Sequence, residues 1–199
     1  MRTCSTIRCQ ASGADLWKLI YATPDLDWLL LTKRPQNIAG MLPPTAFWNE
    51  IKGHVWLGTT VEDQKHAALN IPHLLDHDSA VRFISAEPLL GPLAIENYLL
   101  DYPIEGRAGR LNWVISGGES GPHARLPNPL WFRSLRDQCA AAGVPFLFKQ
   151  WGEHAPYDRS RVDGSTLATP YSLDTPIQRF GKKLSGRMLD GTTHDGFPA

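Results

Sequence analysis

Seven side chains stand just past apolar runs and could do chemistry together: Lys33, Arg34, Glu62, Glu87, Glu119, Lys149 and Gln150. Three carboxylates and three cations at the ends of strands can hold a charged ligand or move protons. They form more charge than folding requires, because burying it is costly unless it is paired. Glu87 and Glu119 could act as acid and base in a lyase or hydrolase. Gly117 and Gly118 directly precede Glu119, and paired glycines let a backbone approach a ligand and offer amide donors to an anion. Arg125 follows in the same loop and can clamp a carboxylate or phosphate with its planar fork. The segment Gly117-Gly118-Glu119-Ser120-Gly121 is neither the dinucleotide fingerprint nor the phosphate loop, since it lacks the third spaced glycine and the Gly-Lys-Ser ending.

Other chemistries have weaker support. His73 and His77 are four residues apart, but Pro72 disturbs the helix and no glutamate lies between them as zinc proteases require. His123 is better placed, in the loop after the glycines. No serine sits in a nucleophile elbow. Cys4 and Cys9 have the spacing that opens a plant-type ferredoxin motif, but Ser12 stands where the third cysteine belongs. Cys139 falls on the apolar face of a helix and reads as core. No metal site is expected from these residues.

The positioning elements follow from apolar runs and their punctuation. Asp27–Thr32, His54–Thr59, Ala80–Ser85, Leu111–Ser116 and Val144–Phe148 read as strands. Their ends lie 26 to 32 residues apart, about one βα unit each. Asn128-Pro129 offers an N-cap and a first-turn proline; Trp131, Leu135, Cys139 and Ala142 follow at helical spacing, and Gly143 suits the C′ position. Thr60 is expected to cap a helix over Val61–Asp76 that Pro72 kinks. Ser12 and Asp15 resemble a capping box for a helix carrying Leu16, Leu19 and Ile20. Ile95–Leu100 reads as a short helix, residues 102–110 as a loop and 153–179 as a long loop. Gly181-Lys182-Lys183 and Leu189-Asp190-Gly191 suggest a final helix and turn. The expected organisation is therefore an N-terminal segment over 1–26, a βα core over 27–152 and a C-terminal loop and tail over 153–199. Strand, charge, then helix is the order of parallel α/β enzymes, whose sites lie at the carboxyl ends of the strands. Five units are too few to close an eight-stranded barrel, which leaves an open doubly wound sheet or a partial barrel.

Bulk composition narrows the partners. The formal net charge is zero, so no global field draws the chain to nucleic acid or anionic membranes. No apolar run approaches the ~20 residues of a membrane span. Three cysteines without a dense framework, and no secretory core after Met1, point to the cytoplasm. Seven tryptophans and sixteen prolines indicate structured loops. Exposed tryptophans together with Lys33, Arg34, Arg125, Lys182 and Lys183 would suit single-stranded nucleic acid in a non-catalytic binding protein.

Several segments carry a family resemblance: Leu30-Leu31-Thr32-Lys33-Arg34-Pro35, Trp56–Glu62, Phe83–Gly91, Gly117–Gly121, Phe148–Gly152, Gly181–Lys183 and Leu189–Gly191. In this order they resemble an uncharacterised phage-associated family similar to radical S-adenosylmethionine enzymes of the three-cysteine-motif type. The resemblance implies a partial (βα) TIM-like barrel of about five to six parallel strands with outer helices. It also implies S-adenosylmethionine and a [4Fe–4S] cluster at the carboxyl ends of the strands, with Glu87, Glu119 and Lys149 in catalytic roles. Lys33, Arg34, Glu62, Gly117, Gly118, Arg125 and Gln150 would then hold the cofactor. Typical members carry a cysteine motif ending Cys-Tyr-Ala near the N-terminus, and this chain has none. The expectation is a truncated or diverged opening, no cluster ligands, and a small-molecule rim that outlives radical chemistry. A partner chain or oligomer is expected to cover the open strand edges.

Overall fold

The computed structural model describes residues 13–101, 109–157 and 176–198. Cys4, Cys9, Ser12, nearly all of the 102–110 loop and most of the 153–179 loop lie outside them. Five strands form one sheet: β1 (Trp28–Thr32), β2 (Val55–Thr60), β3 (Val81–Ala86), β4 (Trp113–Gly117) and β5 (Phe146–Gln150). Their order is sequential and every pair is parallel, with Leu30 opposite Leu57, Thr59 opposite Ile84 and Ser85 opposite Ile115. The order never reverses, so the switch point of a doubly wound sheet is missing. Among the described residues β1 and β5 do not pair, and the tail borders the outer edge of β5, where Leu147 bridges Asp195 and the Phe148 amide donates to the His194 carbonyl at 2.9 Å. β2 is buried along its whole length, as a strand covered on both faces must be.

Helices punctuate the sheet. α1 (Gly13–Tyr21) precedes β1; α2 (Ile38–Met41) and α3 (Thr45–Ile51), split at Pro43-Pro44, lead to β2. α4 (Gln64–Leu75) joins β2 to β3. It is capped by Asp63, whose carboxylate accepts from the His66 amide at 2.9 Å, rather than by Thr60, which remains in β2. α5 (Pro129–Ala142) joins β4 to β5. Asn128 caps it through the Leu130 amide, and Gly143 closes it at φ +64°. The Val144 amide donates back to the Cys139 carbonyl at 2.9 Å, the outer bond of a Schellman closure. Val144 thus belongs to the helix end, and β5 begins at Phe146 instead of Val144. The expected helix over Ile95–Leu100 shrinks to a 3₁₀ turn, Glu96–Tyr98.

The two sheet faces differ. One packs Leu57, Ile84, Val114 and Phe148 against Ile71 and Leu74 of α4 and Phe132, Leu135 and Cys139 of α5. The other carries Trp56, Val81, Phe83 and Trp113. The C-terminal tail covers it: the Phe197 ring lies 5.0 Å from both Trp56 and Trp113, and Trp113 Nε1 donates to the Gly196 carbonyl at 2.8 Å. These tryptophans lie at the starts of their strands, so the tail covers the end opposite the rim.

Beyond β5 come two small hairpins, β6 (His154–Pro156) with β7 (Ile177–Arg179), and β8 (Met188–Leu189) with β9 (Thr192–Thr193). The expected final helix is instead the β8–β9 hairpin. Asp190 and Gly191 turn it, both at positive φ (54° and 78°), as a two-residue hairpin turn requires. Asp190 is only 15% exposed and lies between two cations of α5 (Arg133 NH2 at 2.6 Å, Arg136 NH1 at 2.7 Å), which fasten the tail to the helix. No helix among the described residues is long and apolar enough to cross a membrane.

Candidate functional site

β3 ends by delivering Glu87, and β5 ends in a bulge. Ser116 of β4 faces Phe148, but its neighbour Gly117 faces Gln150, so Lys149 is the extra residue. Successive side chains of a regular strand point to opposite faces, and a bulge re-aims them. Here both consecutive residues reach one carboxylate. Lys149 Nζ donates to Glu87 Oε2 at 2.8 Å and Gln150 Nε2 donates to Glu87 Oε1 at 2.8 Å. The Gln150 amide also reaches Ser120 Oγ at 3.4 Å. The Glu87 side chain is 17% exposed and that of Lys149 54%. A carboxylate has about four lone-pair sites, so two donors leave Glu87 able to accept more.

Gly117 makes room for this carboxylate, since a β-carbon there would stand 3.1 Å from Glu87 Oε1. Gly118 serves backbone packing. A β-carbon there would lie 1.8 Å from the Trp151 carbonyl oxygen, and its own amide donates to the Gln150 carbonyl at 2.9 Å. The close approach that sequence reasoning assigns to a ligand is therefore made, at Gly118, to the chain itself.

Glu119 binds Arg125 in a fork, Nε to Oε2 at 2.8 Å and NH2 to Oε1 at 2.7 Å, and also accepts the Arg125 amide at 2.8 Å. The Arg125 guanidinium, first of all, pulls the Glu119 carboxyl down to about 2. Glu119 is thus a fixed anion at neutral pH, unsuited to donating a proton. Lys33 Nζ lies 3.2 Å from Glu62, whose carbonyl accepts the Leu90 amide at 2.8 Å. Glu62 also contributes to the field on Arg125. The Arg34 side chain is exposed, and its backbone amide donates to Thr32 Oγ1. The predicted residues therefore form three linked groups around the strand ends: Glu87–Lys149–Gln150, Glu119–Arg125 and Lys33–Glu62. Arg34 stands outside them.

Sequence reasoning missed Glu153 and Arg179. Glu153 Oε2 accepts the Gly121 amide at 3.2 Å, and its other oxygen takes Arg179 NH2 at 3.0 Å. The Glu153 amide donates to the Glu119 carbonyl at 2.8 Å. This carboxylate ties the glycine loop to the β6–β7 hairpin, and Arg179 lowers its pKa. Only its closeness to Lys149 in sequence marked it.

Metal donors are not assembled. Among the described residues no three His, Cys, Asp or Glu side chains could hold an ion. Cys139 is buried in the core, and burial pushes its thiol up to about 12, far from a ready thiolate ligand. His66 pairs with Asp63 at 2.8 Å and His73 lies 3.9 Å from Asp76, while His123 is exposed.

Residues 9–198 match the family model described as "Protein of unknown function (DUF5131)". The chain belongs to the DUF5131 family. No curated protein matches it, and no solved structure does. DUF5131 membership spans the sheet, the rim and the tail alike, so the strand-end groups lie within the family's own domain.

Proposed function

We propose that this DUF5131 protein is a radical S-adenosylmethionine-like partial barrel whose rim holds S-adenosylmethionine, or a small molecule of the same charge pattern. The observation that carries this reading is the bulge that turns both Lys149 and Gln150 onto Glu87. Bulges beside sites re-aim side chains. S-adenosylmethionine presents an ammonium, a sulfonium and a carboxylate. Glu87 answers a cation, and Lys149, which is half exposed, can turn from Glu87 to the carboxylate. The sequential parallel order, with α4 and α5 as crossovers, is the order a partial barrel would have.

The cluster is a separate matter. A [4Fe–4S] cluster requires cysteine thiolates, and the described residues supply only the core thiol of Cys139. Among the described residues the donor set does not fit a cluster. What the rim's own residues support is binding and orientation of a charged ligand. The pairing of Lys33 with Glu62 and of Arg125 with Glu119 offsets the cations that a polyanion would need, which favours a small ligand over nucleic acid.

Equilibrium dialysis with labelled S-adenosylmethionine, competed by S-adenosylhomocysteine and methionine, tests the reading. Saturable binding, displaced by S-adenosylhomocysteine and weaker in Lys149→Met, is expected. No saturable binding at millimolar ligand would refute it.

A further inference from the structure

We infer that the ligand seats a sugar ring beneath the rim, on the hydroxyls of Thr60 and Ser85. The inference deepens the small-ligand reading and rests on the rim being a binding site. Seven polar side chains are buried among the described residues. Thr59, Asn70, Ser79, Ser116 and Ser185 each donate to a backbone carbonyl. The remaining two, Thr60 and Ser85, are 7% and 8% exposed, and their hydroxyls have no hydrogen-bond partner among the described residues. Neither oxygen is fully sealed from solvent. Buried polar groups are ordinarily paired, because an unpaired one has lost its water for nothing.

The two unpartnered hydroxyls are neighbours. Thr60 of β2 stands opposite Ser85 of β3, Ser85 opposite Ile115 of β4, and Ile115 opposite Leu147 of β5. Partners across a parallel ladder share a face, as do residues two apart along a strand. This row therefore lies on the face that carries Trp56, Phe83 and Trp113, one step above them. It lies one step below Glu87 and Gly117. Ile115 is only partly buried, although Val114 and Ser116 on either side of it are 0% exposed. β4 is flanked by β3 and β5, and Val114 on its other face packs into the core with α5. The opening at Ile115 is thus on the face of the two hydroxyls.

Neighbouring strands lie ~4.8 Å apart, so the two hydroxyls are too distant to bond each other without bending their strands. They are close enough to hold one hydroxyl between them, or two adjacent ones. Each can donate and accept, which suits a partner that does both. The four side chains of the row carry no charge, and Ile115 and Leu147 give it an apolar side. An uncharged group that is hydroxylated along one edge and apolar on its face is a sugar ring. Glu87 is two residues further along β3 than Ser85, about 6.6 Å, so a ligand cation at Glu87 lies one ring's length from the hydroxylated edge. A ribosyl group within the rim ligand and a free sugar beneath it both offer this edge.

The test compares wild type with Thr60→Val combined with Ser85→Ala, by isothermal titration with S-adenosylmethionine, methionine and D-ribose. The double variant should bind S-adenosylmethionine about tenfold more weakly and leave methionine, which has no ring, unchanged. Ribose that binds wild type and not the variant, with no binding of S-adenosylmethionine, would assign the row to a free sugar and refute only the S-adenosylmethionine reading of the rim. Without ligand the variant should melt no lower than wild type, since its hydroxyls had no partner to lose. Binding of S-adenosylmethionine weakened by Glu87→Gln but equal in the double variant would overturn the sugar subsite and leave the rim standing. A lower Tm in the ligand-free variant would also overturn it, by showing that the hydroxyls serve the fold. Wild type that binds none of the three compounds would overturn both readings.

Discussion

Gly118→Ala places a methyl carbon 1.8 Å from the Trp151 carbonyl oxygen. Carbon and oxygen in contact need well over 3 Å, so roughly 1.5 Å of backbone movement must be found. The obstacle is main chain, held on its own side by the Trp151 amide bond to the Gly186 carbonyl at 3.2 Å. Overpacking that forces off-rotamer side chains and backbone shifts costs about 1–3 kcal/mol, and a displacement of this size at two stitched loops should reach at least the top of that range, ~3 kcal/mol. For a chain of this length each kcal/mol lowers Tm by about 2–4 °C. Scanning calorimetry should therefore show a loss of at least ~6 °C. Gly117→Ala, one residue away, meets only the flexible end of Glu87 at 3.1 Å and should cost about 1 kcal/mol or less while weakening ligand binding. Equal melting temperatures for Gly118→Ala and wild type would refute the packing role. A stable Gly118→Ala with lost ligand binding would restore the ligand-cradle reading.

Three further outcomes follow from named contacts. Asp190→Asn keeps the left-handed turn, which asparagine tolerates, but leaves Arg133 and Arg136 without their shared anion; urea unfolding should show a loss of about 2–4 kcal/mol. The folded-state pKa of Glu119 lies near 2, below its ordinary 4.5. Its stabilising contribution is present above pH ~4.5 and lost as pH falls through 2, so the acid limb of stability in that window should flatten in Arg125→Gln. In native protein the Cys139 peptide should resist a thiol reagent at neutral pH and label only on unfolding, as burial holds the thiol near 12.

Local signals read well and non-local ones did not. Asn128, Pro129 and Gly143 bound α5 as their types predict, because caps act within a few residues. Strand ends were legible to about two residues, and Glu87, Lys149 and Gln150 emerged together from that alone. The bulge that joins them depends on the register between β4 and β5, which periodicity does not report. Glu153 was invisible for the same reason, since its partners Gly121 and Arg179 are distant in the chain. The β8–β9 hairpin reads in sequence as a helix and turn although Asp190-Gly191 is a strong hairpin signal, because strands of two residues carry no alternation to read. Thr60 and Asp63 both suit a cap; the pairing of β2 with β3 keeps Thr60 extended and leaves the role to Asp63.

The most direct test of the rim is the affinity of Glu87→Gln for S-adenosylmethionine, measured by isothermal titration beside wild type. Glutamine keeps the shape and one acceptor but removes the charge that Lys149 and a ligand cation would share. At least tenfold weaker binding is expected, with the melting temperature unchanged to within a few degrees, since the Lys149 pair is half exposed. Undiminished affinity in the folded variant would contradict it and move the site away from Glu87.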